Sequence, residues 1–202
     1  ASATAAVGYN VANSCRFNFA DSPLLAKTQS QSPTNADKFT LSFWTKLSVS
    51  NTSDSHFIFG GDDANNRTYI YTVGGGTLTP KLEFFGKTGG TAYTIVTTQI
   101  FADPSAWMNI IYAVDTTQAV AANRVKLYIN GTQVTSFSTA TYPTQNMDIK
   151  LISGADVQIG RVRDGGYGIA GAMEGYLAEI VMIDGTQNAA TDFGEFDEDS
   201  PT

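Results

Sequence analysis

The chain of 202 residues is short of several things that would narrow its chemistry at once. It holds one cysteine, Cys15, so no disulfide can close within it, and one histidine, His56, so no Cys/His zinc set can be assembled. Charged residues make up 15% of the chain, well under the roughly 25% usual for globular domains. The bases do not cluster beyond Arg161-Val162-Arg163, and the net charge is −7. Both facts argue against a nucleic-acid partner and against an anionic membrane surface. No apolar run approaches the roughly 20 residues that a membrane-spanning helix needs. Helical periodicity is missing beyond about one turn, and no block of 20 to 50 residues recurs, which excludes solenoids and propellers.

What is present is period two. Phe39, Leu41 and Phe43 alternate with Thr40, Ser42 and Trp44, the pattern of a strand with one buried face. Similar short runs occur at His56 to Phe59, Arg67 to Val73, Lys81 to Phe85, Tyr93 to Val96, Trp107 to Asp115, Arg124 to Ile129, Val157 to Ile159 and Tyr176 to Ile183. Most are punctuated by Gly, Asn or Asp. Asn130-Gly131 supplies the two positive-φ positions of a type I′ hairpin turn. About twelve strand candidates and a 42% hydrophobic share predict an all-β protein, a two-sheet antiparallel jelly-roll sandwich. Residues 1–10 read as an N-terminal extension, 11–190 as the domain, and 191–202 as an acidic tail on the surface. Cys15 alternates with Phe17 and Phe19, which predicts a buried, inert thiol. In the last strand Leu177, Ile180 and Met182 are expected to face the core. That spacing breaks strict alternation and predicts a β-bulge near Ala178-Glu179 with Glu179 partly buried.

The order of these blocks resembles the concanavalin A-like lectin/glucanase domains, the laminin-G-type jelly rolls. The similar segments are Phe39 to Trp44, Trp107 to Tyr112, the hairpin Val125-Lys126-Leu127-Tyr128-Ile129-Asn130-Gly131, Val157-Gln158-Ile159-Gly160-Arg161, and Gly175 to Gly185. Val114 to Gln118, Tyr142 to Asn146 and the run from Tyr176 into Asp192 to Asp197 further resemble single-domain modules of bacteriophage tail fibres and other virion appendages. The resemblance implies a virion structural protein with a lectin-like domain. Its partners would be other virion proteins, further copies of itself and host-surface carbohydrate. The alternatives are a purely structural virion subunit that binds no sugar and, behind that, a glycan hydrolase.

Hydrolysis needs two carboxylates across the scissile bond. The jelly-roll glucanases place them on one strand as E-x-D-x-E or E-x-D-x-x-E, so that period two aims all of them into the cleft. No strand here carries that motif, and the nearest string, Glu195 to Asp199, lies in the tail. His56 has no Gly-x-Ser-x-Gly elbow to serve. No catalytic residue is assigned and the expectation is a protein that is not an enzyme.

Two loops and two aromatic sets are candidate binding elements. Asp62, Asp63, Asn65 and Asn66 could offer oxygen ligands to calcium, or could simply form a turn. Arg163, Asp164 and Tyr167 could bind a glycan, the ring stacking on a sugar and the polar groups bonding hydroxyls, or could belong to a Gly-rich connector. Trp44 is out of phase with its apolar neighbours and belongs to the other face of its sheet. Tyr69 and Tyr71, two apart, share one face of theirs. Trp107, just after Pro104, is expected to seal the sandwich edge.

Overall fold

The computed structural model describes residues 13–28, 33–48, 56–63, 66–73, 79–151, 156–161 and 171–194. Thirteen strands are present among them: β1 (Cys15–Phe17), β2 (Leu25–Thr28), β3 (Lys38–Leu47), β4 (His56–Asp63), β5 (Asn66–Val73), β6 (Lys81–Thr88), β7 (Thr91–Thr97), β8 (Met108–Asp115), β9 (Val125–Ile129), β10 (Thr132–Gln133), β11 (Phe137–Thr141), β12 (Asp156–Ile159) and β13 (Gly175–Asp184). They form two antiparallel sheets, a six-stranded one in the order β1-β13-β3-β8-β9-β10 and a seven-stranded one in the order β11-β7-β6-β5-β4-β12-β2. The predicted two-sheet jelly-roll sandwich is the fold observed.

Period two explains how the sheets meet. Phe39, Leu41 and Phe43 of β3 and Ile110, Tyr112 and Val114 of β8 point inward from one sheet; Ile70, Leu82, Phe84, Tyr93 and Ile95 point inward from the other. The two layers touch through aromatic rings, Phe43 against Phe59 at 4.9 Å and Phe84 stacked on Tyr112 at 5.4 Å. Burying each such side chain contributes about 1.5–3 kcal/mol, which is why a chain with one cysteine can hold a sandwich together without a cross-link.

Three local features follow from the sequence. Asn130 and Gly131 both take positive φ, 47° and 75°, and turn β9 into β10. In β13 the pairing with β3 skips from Ala178 to Val181, so Glu179 and Ile180 together oppose Phe43; Glu179 sits at φ 49° and is half-buried, as the bulge requires. Third, the chain leaving β13 lies across the outside of the six-stranded sheet. The Thr40 hydroxyl donates to the Thr186 carbonyl at 2.7 Å and accepts from the Asn188 N–H at 2.8 Å, and Gln187 Nε2 donates to the Ala113 and Asn123 carbonyls. This strap leaves Thr40 and Ala113 fully buried on what would otherwise be an open face.

Two expectations are corrected. Ile180 is 38% exposed, because the bulge that lets Leu177 and Met182 both face inward leaves Ile180 as the looped-out residue. Cys15 is exposed, because alternation toward Phe17 holds but β1 is an edge strand and its first residues reach solvent.

Candidate functional site

The outward face of the seven-stranded sheet gathers polar and aromatic side chains in rows set by strand register. One row runs from Arg67 on β5 to Lys87 on β6. The next runs from Gln158 on β12 through Gly60, Tyr69 and Phe85 to Thr94 on β7. A third carries Tyr71, Glu83 and Val96. Inward-facing Thr68, Ile70, Leu82 and Phe84 alternate with them and fix which side each one takes.

Within these rows the side chains contact one another. Tyr69 stacks on Phe85 at 6.2 Å and 24°, and the Arg67 guanidinium lies over the same ring, 5.5 Å from its centroid. Tyr71 joins them to make a small apolar cluster separate from the main core. The Tyr71 hydroxyl donates to the Glu83 carboxylate. Burial raises the Glu83 carboxyl above its usual range, opposed by the Tyr71 bond. Burial, together with the neighbouring Glu83 charge, pushes the Tyr71 phenol far up, so it stays a neutral donor. Arg67, Tyr69, Glu83 and Gln158 are all less than a tenth exposed, whereas Tyr71 and Phe85 are half-buried. Most of the face is therefore buried, and the two half-buried rings are its accessible part. They present ring faces for stacking, with a buried carboxyl, amide and guanidinium beside them.

The pair expected from alternation, Tyr69 and Tyr71, is at the centre of this face. Trp44 is also on the outside of its sheet, between Ala178 and Asn109, but that sheet is the six-stranded one. The structure thus places Trp44 and the two tyrosines on opposite sides of the sandwich. Trp107 does not seal the edge: it is 39% exposed and its ring packs on Tyr176 at 6.2 Å. Arg163, Asp164, Tyr167 and Asn65 lie outside the described residues. Asp62 and Asp63 belong to β4 and Asn66 to β5, paired as the last rungs of a hairpin. Asn66 Oδ1 accepts from the Gly89 N–H at 3.1 Å, which ties this hairpin to the next. Among the described residues no group of three or more His, Cys, Asp or Glu gathers to hold a metal. His56 is buried in β4, its Nδ1 2.9 Å from the Ala172 carbonyl, in the contact of a strand residue.

Sequence reasoning missed Arg67, Glu83, Phe85 and Gln158 as members of one site. The signal was present in part: Glu83, Phe85 and Lys87 alternate just as Arg67, Tyr69 and Tyr71 do. Only register shows that the two sets face each other.

Residues 24–179 match the family model described as the concanavalin A-like lectin/glucanases superfamily. No curated protein matches the sequence. Among solved structures, the full-length tailspike protein 2 of an Escherichia coli O157:H7 bacteriophage is similar at TM-score 0.63 and 12% identity, over 88% of this chain and 23% of that one. Domains LG4-5 of the mouse laminin α1 chain give TM-score 0.58 and 16% identity over 89% and 44%. A botulinum neurotoxin type C structure, whose cell entry depends on two ganglioside molecules, gives 0.55 and 14% over 84% and 38%. The chain thus spans less than half the length of each of these three. At such identities the likeness concerns the fold, and with the family match over most of the sequence it leads to one statement: the chain belongs to the concanavalin A-like lectin/glucanase superfamily.

Proposed function

We propose that this protein is a non-catalytic, lectin-like module of a bacteriophage virion appendage, and that the outward face of the seven-stranded sheet binds a host-surface glycan. The observation that carries the reading is the cluster of Tyr69, Tyr71 and Phe85 with Glu83, Arg67 and Gln158 beside it. Aromatic faces stack on the C–H faces of sugars, and fixed polar groups bond their hydroxyls. The similar tailspike and the similar toxin that depends on gangliosides support it.

The same geometry supports the non-catalytic part. Among the described side chains of these rows Glu83 is the only carboxylate, whereas glycoside hydrolysis needs two across the scissile bond. The test is a glycan array read with the wild type and with Tyr71→Ala and Phe85→Ala. The reading expects sugar binding that both variants weaken by about tenfold or more, since stacked rings contribute on the order of 1–3 kcal/mol. A wild type that binds no glycan, or variants that bind as well as it does, would leave the purely structural virion subunit as the better account.

A further inference from the structure

The opposite side of the sandwich carries a second constellation, separate from the face just proposed. Register aligns Arg16 of β1 with Tyr176 of β13, and Tyr176 with Lys46 of β3. The pairing of Thr45 with Met108 then brings Trp107, the residue before β8, beside Lys46. Phe17, Leu177, Leu47 and Met108, the sequence neighbours of these four, are all buried in the core, so the four themselves point outward. Cation and ring alternate across β1, β13, β3 and the residue before β8, and the Trp107 and Tyr176 rings meet at 6.2 Å and 56°. Trp44 and Asn109 occupy the next row, with the small Ala178 beside them.

We propose that this row, Arg16–Tyr176–Lys46–Trp107, is a binding surface for a carboxylate-bearing polysaccharide. Charge argues for the anionic class. In a chain of net charge −7 with only 12 Lys and Arg, two bases stand in one row, and among the described residues neither forms an ion pair within 4.0 Å. Two acids lie near Lys46: Asp103, whose carboxylate is already held by the Ser105 N–H at 2.8 Å and hydroxyl at 2.6 Å, and Glu174 in the next row, against Ser48, which forms no ion pair within 4.0 Å among the described residues. Glu179, in the bulge beyond Ala178, is half-buried and already partnered. Exposure argues for a ligand that lies along the surface: Arg16 is exposed, Trp107 is 39% exposed, and Lys46, Tyr176 and Trp44 are half-buried. Three interstrand steps of about 4.8 Å make the row roughly 14 Å long, a span for several sugar units. The rings would stack on pyranose faces while the guanidinium and ammonium pair with carboxylates spaced along the chain.

The experiment is a titration of intrinsic tryptophan fluorescence with an oligogalacturonate and with the same oligomer fully methyl-esterified, which keeps the backbone and removes the charge. The proposal expects the free acid to bind at low salt and to weaken as salt rises. It expects the ester, the double variant Arg16→Gln with Lys46→Gln, and Trp107→Ala each to bind at least about tenfold more weakly, through loss of charge-assisted hydrogen bonds in the first two and of ring stacking in the third. Tyr71→Ala, on the other sheet, should bind the acid like the wild type. The charge variants, at exposed Arg16 and half-buried Lys46, are expected to melt with the wild type, which separates lost binding from lost folding. A wild type that ignores the acid, an ester that binds equally, or an undiminished double variant would each overturn the proposal. So would loss of acid binding in Tyr71→Ala, which would move the site to the other face. Failure of neutral glycans on that other face would leave this row untouched.

Discussion

Replacing Gly86 by alanine probes the packing beneath the proposed glycan face. Gly86 lies on β6 directly between Thr68 on β5 and Tyr93 on β7, on the core side of the sheet. The Tyr93 ring crosses over it, and its hydroxyl meets the Thr68 hydroxyl at 2.6 Å. A Cβ at position 86 would stand 2.0 Å from Tyr93 Oη and 2.1 Å from Cζ, so the ring must move. Tyr93 is fully buried and packs on Phe84 at 5.3 Å, which leaves it nowhere to go without cost. Overpacking a core costs about 1–3 kcal/mol, and breaking the hydroxyl pair strands two buried polar groups at about 1–3 kcal/mol. The sum, about 2–6 kcal/mol, is a large share of the roughly 5–15 kcal/mol that holds a domain folded. Urea and thermal melts followed by circular dichroism should show Gly86→Ala melting on the order of 10 °C lower. Adding Tyr93→Leu should cost less in the Gly86→Ala background than in the wild type, because there removing the ring also relieves the clash. A Gly86→Ala protein within about 1 kcal/mol of wild type, or a strictly additive double variant, would refute the account.

Glu83 should make stability fall as pH rises. Burial raises its folded value above the usual 4.5, so between the unfolded and the folded values the native state keeps a proton that the unfolded chain has lost; Glu83→Gln should flatten the urea-midpoint curve in that window. Asp115 has the opposite sign. Burial acts to raise its carboxyl, but bonds from the Thr117 hydroxyl at 2.6 Å, the Thr117 N–H and Gln118 Nε2, with Lys38 at 3.5 Å, leave it lowered. Its contribution is present above the unfolded value and lost as pH falls through the folded one, and Asp115→Asn should cost about 1–3 kcal/mol at neutral pH. Cys15 should react with a thiol reagent in the folded protein at a rate near that of the unfolded chain; strong protection would contradict its exposed place on β1.

Patterns that act over a few residues were legible in the chain itself. The alternation in Phe39 to Trp44 announces β3 and its buried side, Asn130-Gly131 announces a hairpin, and the broken phase after Leu177 announces the bulge. Each is a local rule of backbone geometry, satisfied or violated within the segment that shows it. Cys15 and Ile180 went otherwise because exposure depends on what lies beside a strand: an edge in one case, the looped-out member of a bulge in the other.

The sequence by itself determined the class of fold, the inward set of side chains and the fact that Tyr69 and Tyr71 share a face. Tertiary structure alone decided which of these faces belong together. Tyr71 meets Glu83 only because of the register of β5 and β6, and Arg16 meets Tyr176 and Lys46 only because β13 inserts between β1 and β3, segments far apart in the chain. Strand order and register are set by how two whole sheets bury their apolar faces against each other, a property no single segment carries. That is why Tyr69, Tyr71 and Trp44 could be named along the chain, whereas their neighbours on each face came to light only in the fold.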